Sequence, residues 1–444
     1  MAEILPFHAW RYDTHRVRPA DVVTQPYDKI TPAMQERYLA ASPYNFIRVE
    51  KGLPQPGDSA AENVYTRAAS TLDAWTSEGV LVRDAAPAIY PYFQEYIVPG
   101  TNHRRTRKGF IALGRLEEYS AGVVFPHERT LPGPRADRLE LLRHTRTQTG
   151  LLFLLYPDPE RKSDKIVNEA ARREPLVELT DENGVIHRLW ALADPEALAA
   201  LARVMAGKKL LIADGHHRYE TALAYRDECR QAAGAIDPNA PSEKAMMAFF
   251  NTEGEGLTIL PTHRLVSGVA GFDFEAFRRR LSPQFDWYAY PFADAAERET
   301  ALAEFRRDLE GRSRARRALG AYAGGGAFYL FLLKNEADIE RKLPDLSPAE
   351  RRLDVVLLHR VILERGLGIT QKEVSGEKQV GYERELEAAL AAVDTGRAQL
   401  ALLLNPARID QVADAAFAGR VLPEKSTDFY PKLLSGLTLY RLDV

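Results

Sequence analysis

Apolar residues along this chain alternate between short runs, typical of buried strands, and helical spacing, typical of amphipathic helices. Residues 88–98 are aromatic and β-branched, and together with residues 109–119 they predict a hairpin around a charged turn. Pro91 predicts that the first of these strands lies near a sheet edge, because proline cannot donate to a ladder. The mixture of patterns predicts a mixed α/β (α+β) fold. Further buried strands and helices are predicted over residues 151–156, 209–213, 136–147 and 218–231.

The pattern of apolar and charged residues changes near residue 266, where long charged helical stretches begin. A chain of 444 residues is too long for one ordinary core. We therefore expect one unit over residues 1–265 and a second, C-terminal α/β unit over residues 266–444. The helices and strands predicted for the second unit cover residues 272–282, 294–319, 327–334, 353–367 and 398–405.

Composition and charge narrow the function classes. Hydrophobic residues make up 45% of the chain and charged residues 27%, a balance typical of globular proteins. The net charge of −3 argues against a duplex-DNA binder, so no nucleic-acid partner is expected. A single cysteine, Cys229, excludes an intramolecular disulfide framework and a cysteine-based zinc cluster. The chain has neither a signal-like start nor an apolar run of about 18 residues, so we expect a cytoplasmic protein without a membrane partner.

The strongest chemical signal is the DGHHR segment at residues 214–218, which follows a predicted strand and begins a predicted helix. A helix start offers unpaired N–H groups and the positive end of the helix dipole, so this turn suits an anion. Gly215 allows close backbone approach, and His216, His217 and Arg218 add donor groups. Asp214 is a candidate helix cap, magnesium ligand or proton acceptor. An ordinary capped Asp-Gly turn is the alternative interpretation. Zinc is disfavoured, because adjacent helical residues diverge by about 100° and no HExxH spacing is present.

Two other segments carry candidate groups. Glu128 follows a predicted strand in the sequence Phe-Pro-His-Glu, which makes it a candidate general base, with a surface glutamate as the alternative. The loop at 423–432 contains hydroxyl and ammonium groups that can cradle phosphate oxygens, with an ordinary polar loop as the alternative. The candidates in this loop are Lys425, Ser426, Thr427 and Lys432. Arg143 and Arg146 are phosphate-binding candidates on the helix of 136–147, where a solvated face is the alternative.

Seven segments resemble those of a widespread bacterial and archaeal family known only as a domain of unknown function. They are QPYDKI, SPYNFIRV, FPHERT, DRLELLRHTRTQTG, DGHHRYETALAY, LPTHRLV and PEKSTDFYPKLLSGL. The DGHHR segment also resembles that of the free-serine kinases, which have a ParB/sulfiredoxin-like fold and phosphorylate the hydroxyl of L-serine. In those kinases a glutamate in a Pro-His-Glu context is the base, and the DGHHR segment binds donor phosphate and metal.

This resemblance implies a ParB/sulfiredoxin-like kinase core that converts free L-serine to O-phosphoserine with Mg²⁺. Glu128 would accept the proton of the hydroxyl, and Asp214 would hold Mg²⁺. His217 would act in catalysis by neutralising charge on the transferred group, helped by His216, Arg218 and the second unit's phosphate-binding loop. The residues expected to line the serine pocket are Tyr27, Asp28, Asn45 and His127.

The phosphoryl donor is predicted from the nucleotide-binding motifs that the sequence lacks. It contains no GxxxxGK[ST] loop, no GxGxxG after a strand and no kinase HRD or DFG set. Pyrophosphate, which presents only phosphate oxygens, is therefore the preferred donor, with ADP or ATP next. Two other classes stay open. One is a phosphoserine phosphatase or reverse phosphotransferase, and the other is a ParB-like nucleic-acid-binding or nuclease module. The sequence sets no expectation for the oligomeric state.

Overall fold

The computed structural model of the chain describes residues 2–128, 132–370, 379–423 and 425–443, without the side chains of residues 132–134. Arg129 and Thr130 of the FPHERT segment, and Glu424 of the PEKST segment, lie outside the described residues. The described part mixes helices with several sheets, so the predicted mixed α/β class is confirmed.

The strands are β1 Ile4–Leu5, β2 Trp10–Tyr12, β3 Leu81–Arg83, β4 Tyr90–Ile97, β5 Arg104–Arg115, β6 Val124–Phe125, β7 Thr147–Gln148, β8 Leu152–Tyr156, β9 Val177–Thr180, β10 Ile186–Leu189, β11 Leu210–Asp214, β12 Lys244–Asn251, β13 Thr258–Leu260, β14 His263–Val266, β15 Phe285–Pro291, β16 Ala318–Tyr322, β17 Ala327–Leu333, β18 Val380–Glu383, β19 Leu400–Leu403, β20 Asp428–Tyr430 and β21 Tyr440–Arg441. The α-helices are α1 Pro19–Val22, α2 Pro32–Ala41, α3 Ile47–Glu50, α4 Val64–Ser77, α5 Pro132–Thr145, α6 Lys162–Ala170, α7 Pro195–Met205, α8 His216–Ala233, α9 Phe274–Leu281, α10 Ala295–Arg312, α11 Glu336–Lys342, α12 Pro348–Arg351, α13 Asp354–Leu357, α14 Leu386–Asp394 and α15 Ile409–Phe417. A π-helix, Leu358–Leu367, continues α13, and short 3₁₀ turns lie at Tyr27–Lys29, Tyr119–Ala121 and Pro241–Glu243.

The chain folds into two compact units, and neither is continuous in sequence. Unit 1 comprises Met1–Pro126, Thr130–Thr258 and Phe429–Val444, and unit 2 comprises His127–Arg129 and Ile259–Asp428. This division differs from the predicted units 1–265 and 266–444, because a C-terminal segment belongs to unit 1 and a short early segment belongs to unit 2. Both exchanges depend on contacts between residues distant in sequence, which local patterns do not encode.

Unit 1 is built on a nine-stranded sheet in the order β6-β11-β8-β12-β5-β4-β10-β9, with β1 beside β5. The predicted hairpin is present as the antiparallel pair β4 and β5. Pro91 was expected to place this strand near a sheet edge, but β4 is an inner strand between β5 and β10. The ladder tolerates proline there because β10 pairs with β4 only from Tyr92 to Glu95, and Pro91 contributes just its carbonyl, which accepts from the backbone N of Trp190 at 3.0 Å.

The strand and helix predicted around the DGHHR segment correspond to β11 and α8. Strand β11 lies between β6, to which it is parallel, and β8, to which it is antiparallel. Leu210 and Ile212 from β11 are buried in one cluster with Tyr219 and Ala222 from α8. Each fully buried large apolar side chain stabilises the fold by about 1.5–3 kcal/mol, so this packing fixes the turn between the two elements.

Unit 2 is built on a six-stranded antiparallel sheet in the order β15-β17-β16-β19-β14-β18. Leu400 and Leu402 of β19 belong to one apolar cluster, and Ala401 and Leu403 belong to another. Side chains alternate across a strand, so both faces of this sheet are covered.

The π-helix of unit 2 carries a buried histidine, His359. Neither of its ring nitrogens has a hydrogen-bond partner within the described ranges. Burial, helped by the positive charge of Arg264, lowers the pKa of His359 to about 3.

Among the described helices, none is both long enough and apolar enough to cross a membrane.

Candidate active site

The DGHHR segment forms a sharp turn at the carboxyl end of β11. Gly215 has a φ of 95°, a left-handed conformation that other residues adopt only with strain. A Cβ at this position would lie 3.2 Å from Nε of Arg218, so the glycine also lets the arginine fold back against the turn. His216, which begins α8, is buried and His217 is half-buried. The turn therefore gathers the polar side chains at the N-terminus of α8, as the sequence predicts.

Asp214 is surrounded by cations. Its Oδ2 lies 3.2 Å from Nζ of Lys432, and its Oδ1 lies 3.9 Å from Nη2 of Arg218. Burial acts to raise the pKa of Asp214, but the charges of Lys432, Arg218 and Lys29 outweigh it and hold the pKa well below its usual range. Asp214 is thus ionised throughout the neutral and mildly acidic range. We call Asp214, Arg218, Lys432 and Lys29 the Asp214 cluster.

Lys432 reaches this cluster because its backbone is held by buried side chains of the unit 1 sheet. Gln94 donates from Nε2 to the carbonyl of Lys432 at 2.8 Å. Arg107 donates to the carbonyls of Tyr430 and Pro431 and is anchored on Gln94, while its guanidinium lies 4.5 Å from the ring centre of Phe153. Burial lowers the pKa of Arg107 to about 10, so it keeps its charge at neutral pH. The sequence analysis placed Lys432 in the second unit, whereas the structure places it in unit 1 with Asp214.

Unit 2 joins two segments that are about 300 residues apart in the chain. Oε1 of Glu128 accepts a hydrogen bond from the backbone N of Lys425 at 2.7 Å. His127 is fully buried, and its Nε2 lies 2.7 Å from Oγ1 of Thr427. Two predicted candidates from the FPHE segment therefore contact the loop at 425–427. We call His127, Glu128, Lys425 and Thr427 the Glu128 cluster.

The backbone of Lys425 is strained. Its φ is 56°, a left-handed value that is unfavourable for a residue with a side chain. Glu128 accepts from its N–H, and Nη2 of Arg264 donates to its carbonyl at 3.0 Å, so both ends of the residue are held. Ser426 donates from Oγ to the carbonyl of Pro423, and the side chain of Lys425 is exposed at this turn. Strain maintained in this way is common at binding sites.

The three predicted serine-pocket residues of unit 1 make different kinds of contact. The Tyr27 ring lies 4.4 Å from the Arg138 guanidinium, and burial raises the Tyr27 pKa to about 12 although Arg218 opposes this shift. Asp28 lies 3.6 Å from Nζ of its neighbour Lys29. The side chain of Asn45 donates to the carbonyl of Asp21 and accepts from the backbone N of Ile47, so it organises the turn before α3. A role for these residues in binding stays a prediction.

The two predicted arginines of α5 do not approach the Asp214 cluster through any described contact. Arg143 is exposed and paired with Glu228 and Glu140. Arg146 is exposed, has a φ of 45° and ends the helix through its backbone.

Sequence reasoning missed Lys29 and Arg107. Lys29 stands in the QPYDKI segment beside two residues that it did select. Arg107 lies among the basic residues of the predicted charged turn, and only its burial in the folded protein distinguishes it from them.

The donor set suits a metal that is already bound to phosphate better than a bare ion. Within the described ranges, no three or more His, Cys, Asp or Glu side chains come together as a metal-binding group. Asp214 is a single carboxylate that already contacts cations. Mg²⁺ is commonly held by one or two carboxylates together with substrate phosphates. Asp214 therefore fits as the protein ligand of a magnesium–phosphate complex.

Residues 4–356 match the family model described as "Protein of unknown function (DUF1015)". The chain belongs to this family. No curated protein matches this DUF1015 chain.

Several solved structures are similar to the DUF1015 chain. A conserved hypothetical protein from Pyrococcus furiosus has 14% identity and a TM-score of 0.31, over 69% of this chain and 87% of that one. A free serine kinase in complex with AMP has 13% identity and a TM-score of 0.32, over 69% and 83%. SbnI with a C-terminal truncation, from Staphylococcus aureus, has 11% identity and a TM-score of 0.34, over 73% and 85%. These scores are too low to carry a functional assignment, which therefore depends on the site itself.

Proposed function

We propose that this DUF1015 protein is a phosphotransferase that moves a phosphoryl group to the hydroxyl of a small acceptor. The observation that carries this proposal is the excess positive charge at the DGHHR turn. Lys432, Arg218, Lys29 and the buried Arg107 all act on Asp214 or are acted on by it, and among the described residues the carboxylates of Asp28 and Glu50 also lie near members of this set. Partly buried cations in excess of their carboxylates favour an anionic ligand, and the start of α8 adds backbone donors.

Each side chain of the site has a defined task in this proposal. Arg218 and Lys432 bind oxygens of the transferred phosphoryl group, and His216 and His217 add donors at the helix start. Mg²⁺ held by Asp214 would neutralise charge on the donor phosphates. These groups are of the kinds that phosphoryl transfer needs, because the reaction depends mainly on alignment and charge stabilisation.

Glu128 is proposed as the proton acceptor. Its hydrogen bond from the Lys425 backbone fixes the orientation of the carboxylate. Lys425, Ser426 and Thr427 offer further phosphate-binding groups, and the strained backbone of Lys425 supports a binding role for this loop.

The finer proposal is that the acceptor is free L-serine and that the donor is pyrophosphate, with ADP or ATP next. Pyrophosphate presents only charged oxygens, which match the arginine and lysine donors of the Asp214 cluster. The test is to supply L-serine and Mg²⁺ with pyrophosphate, ADP or ATP in separate reactions and to measure O-phosphoserine. Lys432→Met should abolish product formation, and Arg143→Ala, which removes an exposed ion-paired arginine, is the matched control. Product with ADP or ATP but none with pyrophosphate would contradict the donor assignment and leave the phosphotransferase proposal standing.

The reverse reaction is the second candidate, because the same groups would bind phosphoserine. Incubation of the protein with O-phosphoserine and Mg²⁺ alone tests it. Release of inorganic phosphate without any forward transfer would make the protein a phosphatase. Cleavage or tight binding of DNA in a parallel assay would instead favour the ParB-like alternative.

A further inference from the structure

A small cavity lies inside unit 1 beside the DGHHR turn. It encloses about 50 Å³ and is partly open. Its polar wall includes Glu50, Arg138, Arg218 and Thr221, and its apolar wall includes Leu152. The sequence analysis did not select Glu50 or Thr221.

Three polar atoms of the lining residues have no hydrogen-bond partner among the residues that the structure describes: Oε2 of Glu50, Oγ1 of Thr221 and Nε of Arg218. Glu50 and Thr221 are only 1% and 3% exposed. Leaving a buried polar atom unpaired costs about 1–3 kcal/mol, so three around one cavity indicate an absent partner inside it.

The lining side chains are held in place by the rest of unit 1. Oε1 of Glu50 accepts from Oγ of Ser435 at 3.2 Å, and Nη1 of Arg138 donates to the carbonyl of Glu50 at 2.9 Å. Gly150 approaches Arg218 closely, because a Cβ there would lie 3.1 Å from Nη1 of that arginine. The polar groups are therefore fixed before any ligand binds, which reduces the entropy lost on binding.

The three unpaired atoms have complementary chemistry. Glu50 offers an anionic acceptor, Arg218 a cationic donor, and Thr221 a hydroxyl that can do either. An ammonium group and a carboxylate held close together on one ligand would satisfy all three. The small size of the cavity, about 50 Å³, favours a ligand as small as glycine, alanine or serine.

We propose that this cavity, which we call the Glu50 cavity, binds a small α-amino acid. Glu50 accepts from its ammonium group, Arg218 donates to its carboxylate, and Thr221 binds either group. The identification of this ligand with the phosphoryl acceptor rests on the proposed function, but binding to the cavity does not require it.

Binding of glycine, L-serine and L-phenylalanine should be measured by calorimetry on the full-length protein without Mg²⁺ or any phosphate donor. We expect saturable binding of one glycine or L-serine per chain and none of L-phenylalanine, which is too large. Acetate and methylamine each carry half of the recognised groups and should bind much more weakly.

Glu50→Gln should weaken binding of L-serine about 10- to 100-fold, because it removes the charged acceptor while preserving shape. Thr221→Val should weaken it less. The matched controls are Glu62→Gln and Thr300→Val, which change exposed residues of the same types and should leave the affinity unchanged. Ala222→Leu fills the cavity and provides a second test if Glu50→Gln does not fold.

Each result has a clear consequence. Absence of saturable amino-acid binding in a protein that still binds pyrophosphate would overturn the proposal and leave only water in the cavity, which at about 10–15 Å³ each has room for a few molecules. Equal affinity in wild type and in folded Glu50→Gln or Ala222→Leu protein would also overturn it. Amino-acid binding without phosphoryl transfer from any donor would instead retain the cavity assignment and count against the proposed function.

Discussion

Replacement of Lys432 by methionine tests the Asp214 cluster directly, because methionine keeps the apolar stem of lysine and removes its charge. The two side chains are 13% and 24% exposed, and Nζ lies 3.2 Å from Oδ2. At that distance two unit charges attract by about 1 kcal/mol in bulk water and by about 5 kcal/mol at an effective dielectric of 20. Asp214 keeps Arg218 and Lys29 nearby in the variant, so we expect a loss of about 1–3 kcal/mol in the free energy of unfolding.

The measurement is urea unfolding at pH 7 of wild type, Lys432→Met, Asp214→Asn and the double variant. Residues in direct contact should show a coupling energy of at least about 0.5–1 kcal/mol in this cycle. The pKa of Asp214 also determines how the free energy of unfolding changes with pH. The pKa of Asp214 lies below its unfolded value of about 3.9, so its contribution is complete at neutral pH and is lost only as the pH falls below that value. Loss of Lys432 raises this pKa, and the acid limb of unfolding should move to higher pH.

The affinity for pyrophosphate, measured without Mg²⁺, distinguishes an anion-binding cluster from a purely structural ion pair. A structural pair predicts no opposite changes of affinity in the two single variants. Lys432→Met should bind pyrophosphate more weakly, because it loses a cation. Asp214→Asn should bind it more tightly, because the remaining cations lose their carboxylate. Additive stability effects, or a shift of both affinities in the same direction, would refute this interpretation of the cluster.

Three further predictions concern single residues. Glu128→Gln keeps an acceptor for the Lys425 backbone but cannot take a proton, so kcat should fall by about two to four orders of magnitude with normal folding, and near-normal turnover would remove Glu128 as the base. Arg143→Ala should change the free energy of unfolding by no more than about 0.5 kcal/mol and leave pyrophosphate affinity unaltered, because its ion pairs are exposed; a clear loss of affinity would return it to the site. His359→Leu should remove part of the acid sensitivity of the protein. Because its folded pKa is lowered to about 3, the unfolded state gains a proton below about pH 6.5, so this histidine should cost about 2 kcal/mol of stability between pH 7 and pH 5. Unchanged slopes of stability against pH in wild type and variant would contradict this assignment.

The parts of the site that the sequence predicts well are local. The strand, the Asp-Gly turn and the helix of the DGHHR segment follow one another directly, so hydrophobic spacing and turn chemistry are sufficient to predict them. The β4 and β5 hairpin is predicted for the same reason. Pro91 shows the limit of this reasoning, since the neighbour that makes β4 an inner strand, β10, lies about ninety residues further on.

The residues that complete the site are brought there by tertiary contacts. Lys432 reaches Asp214 across 218 positions, and Thr427 reaches His127 across 300. No pattern of spacing encodes such pairs, and a single sequence offers no covariation to reveal them. Glu50 is a similar case, because an acidic residue at the end of a short helix is normally solvated, and only the fold shows it to be buried.

Unit 1 is assembled from segments that are distant in the sequence, so the order of translation limits when this unit can fold. Lys432, the Ser435 pairing with Thr24 and the β21 pairing with β7 all come from a segment that is translated long after the rest of unit 1. A nascent chain that has emerged as far as Thr258 holds the DGHHR turn, but it lacks these partners and exposes the surfaces that they cover. Such intermediates are the species that chaperones engage and that tend to aggregate. Phosphate-binding competence should therefore appear only after this segment has been translated, and a messenger truncated shortly before the codon for Lys432 should yield an inactive product that cellular proteases remove.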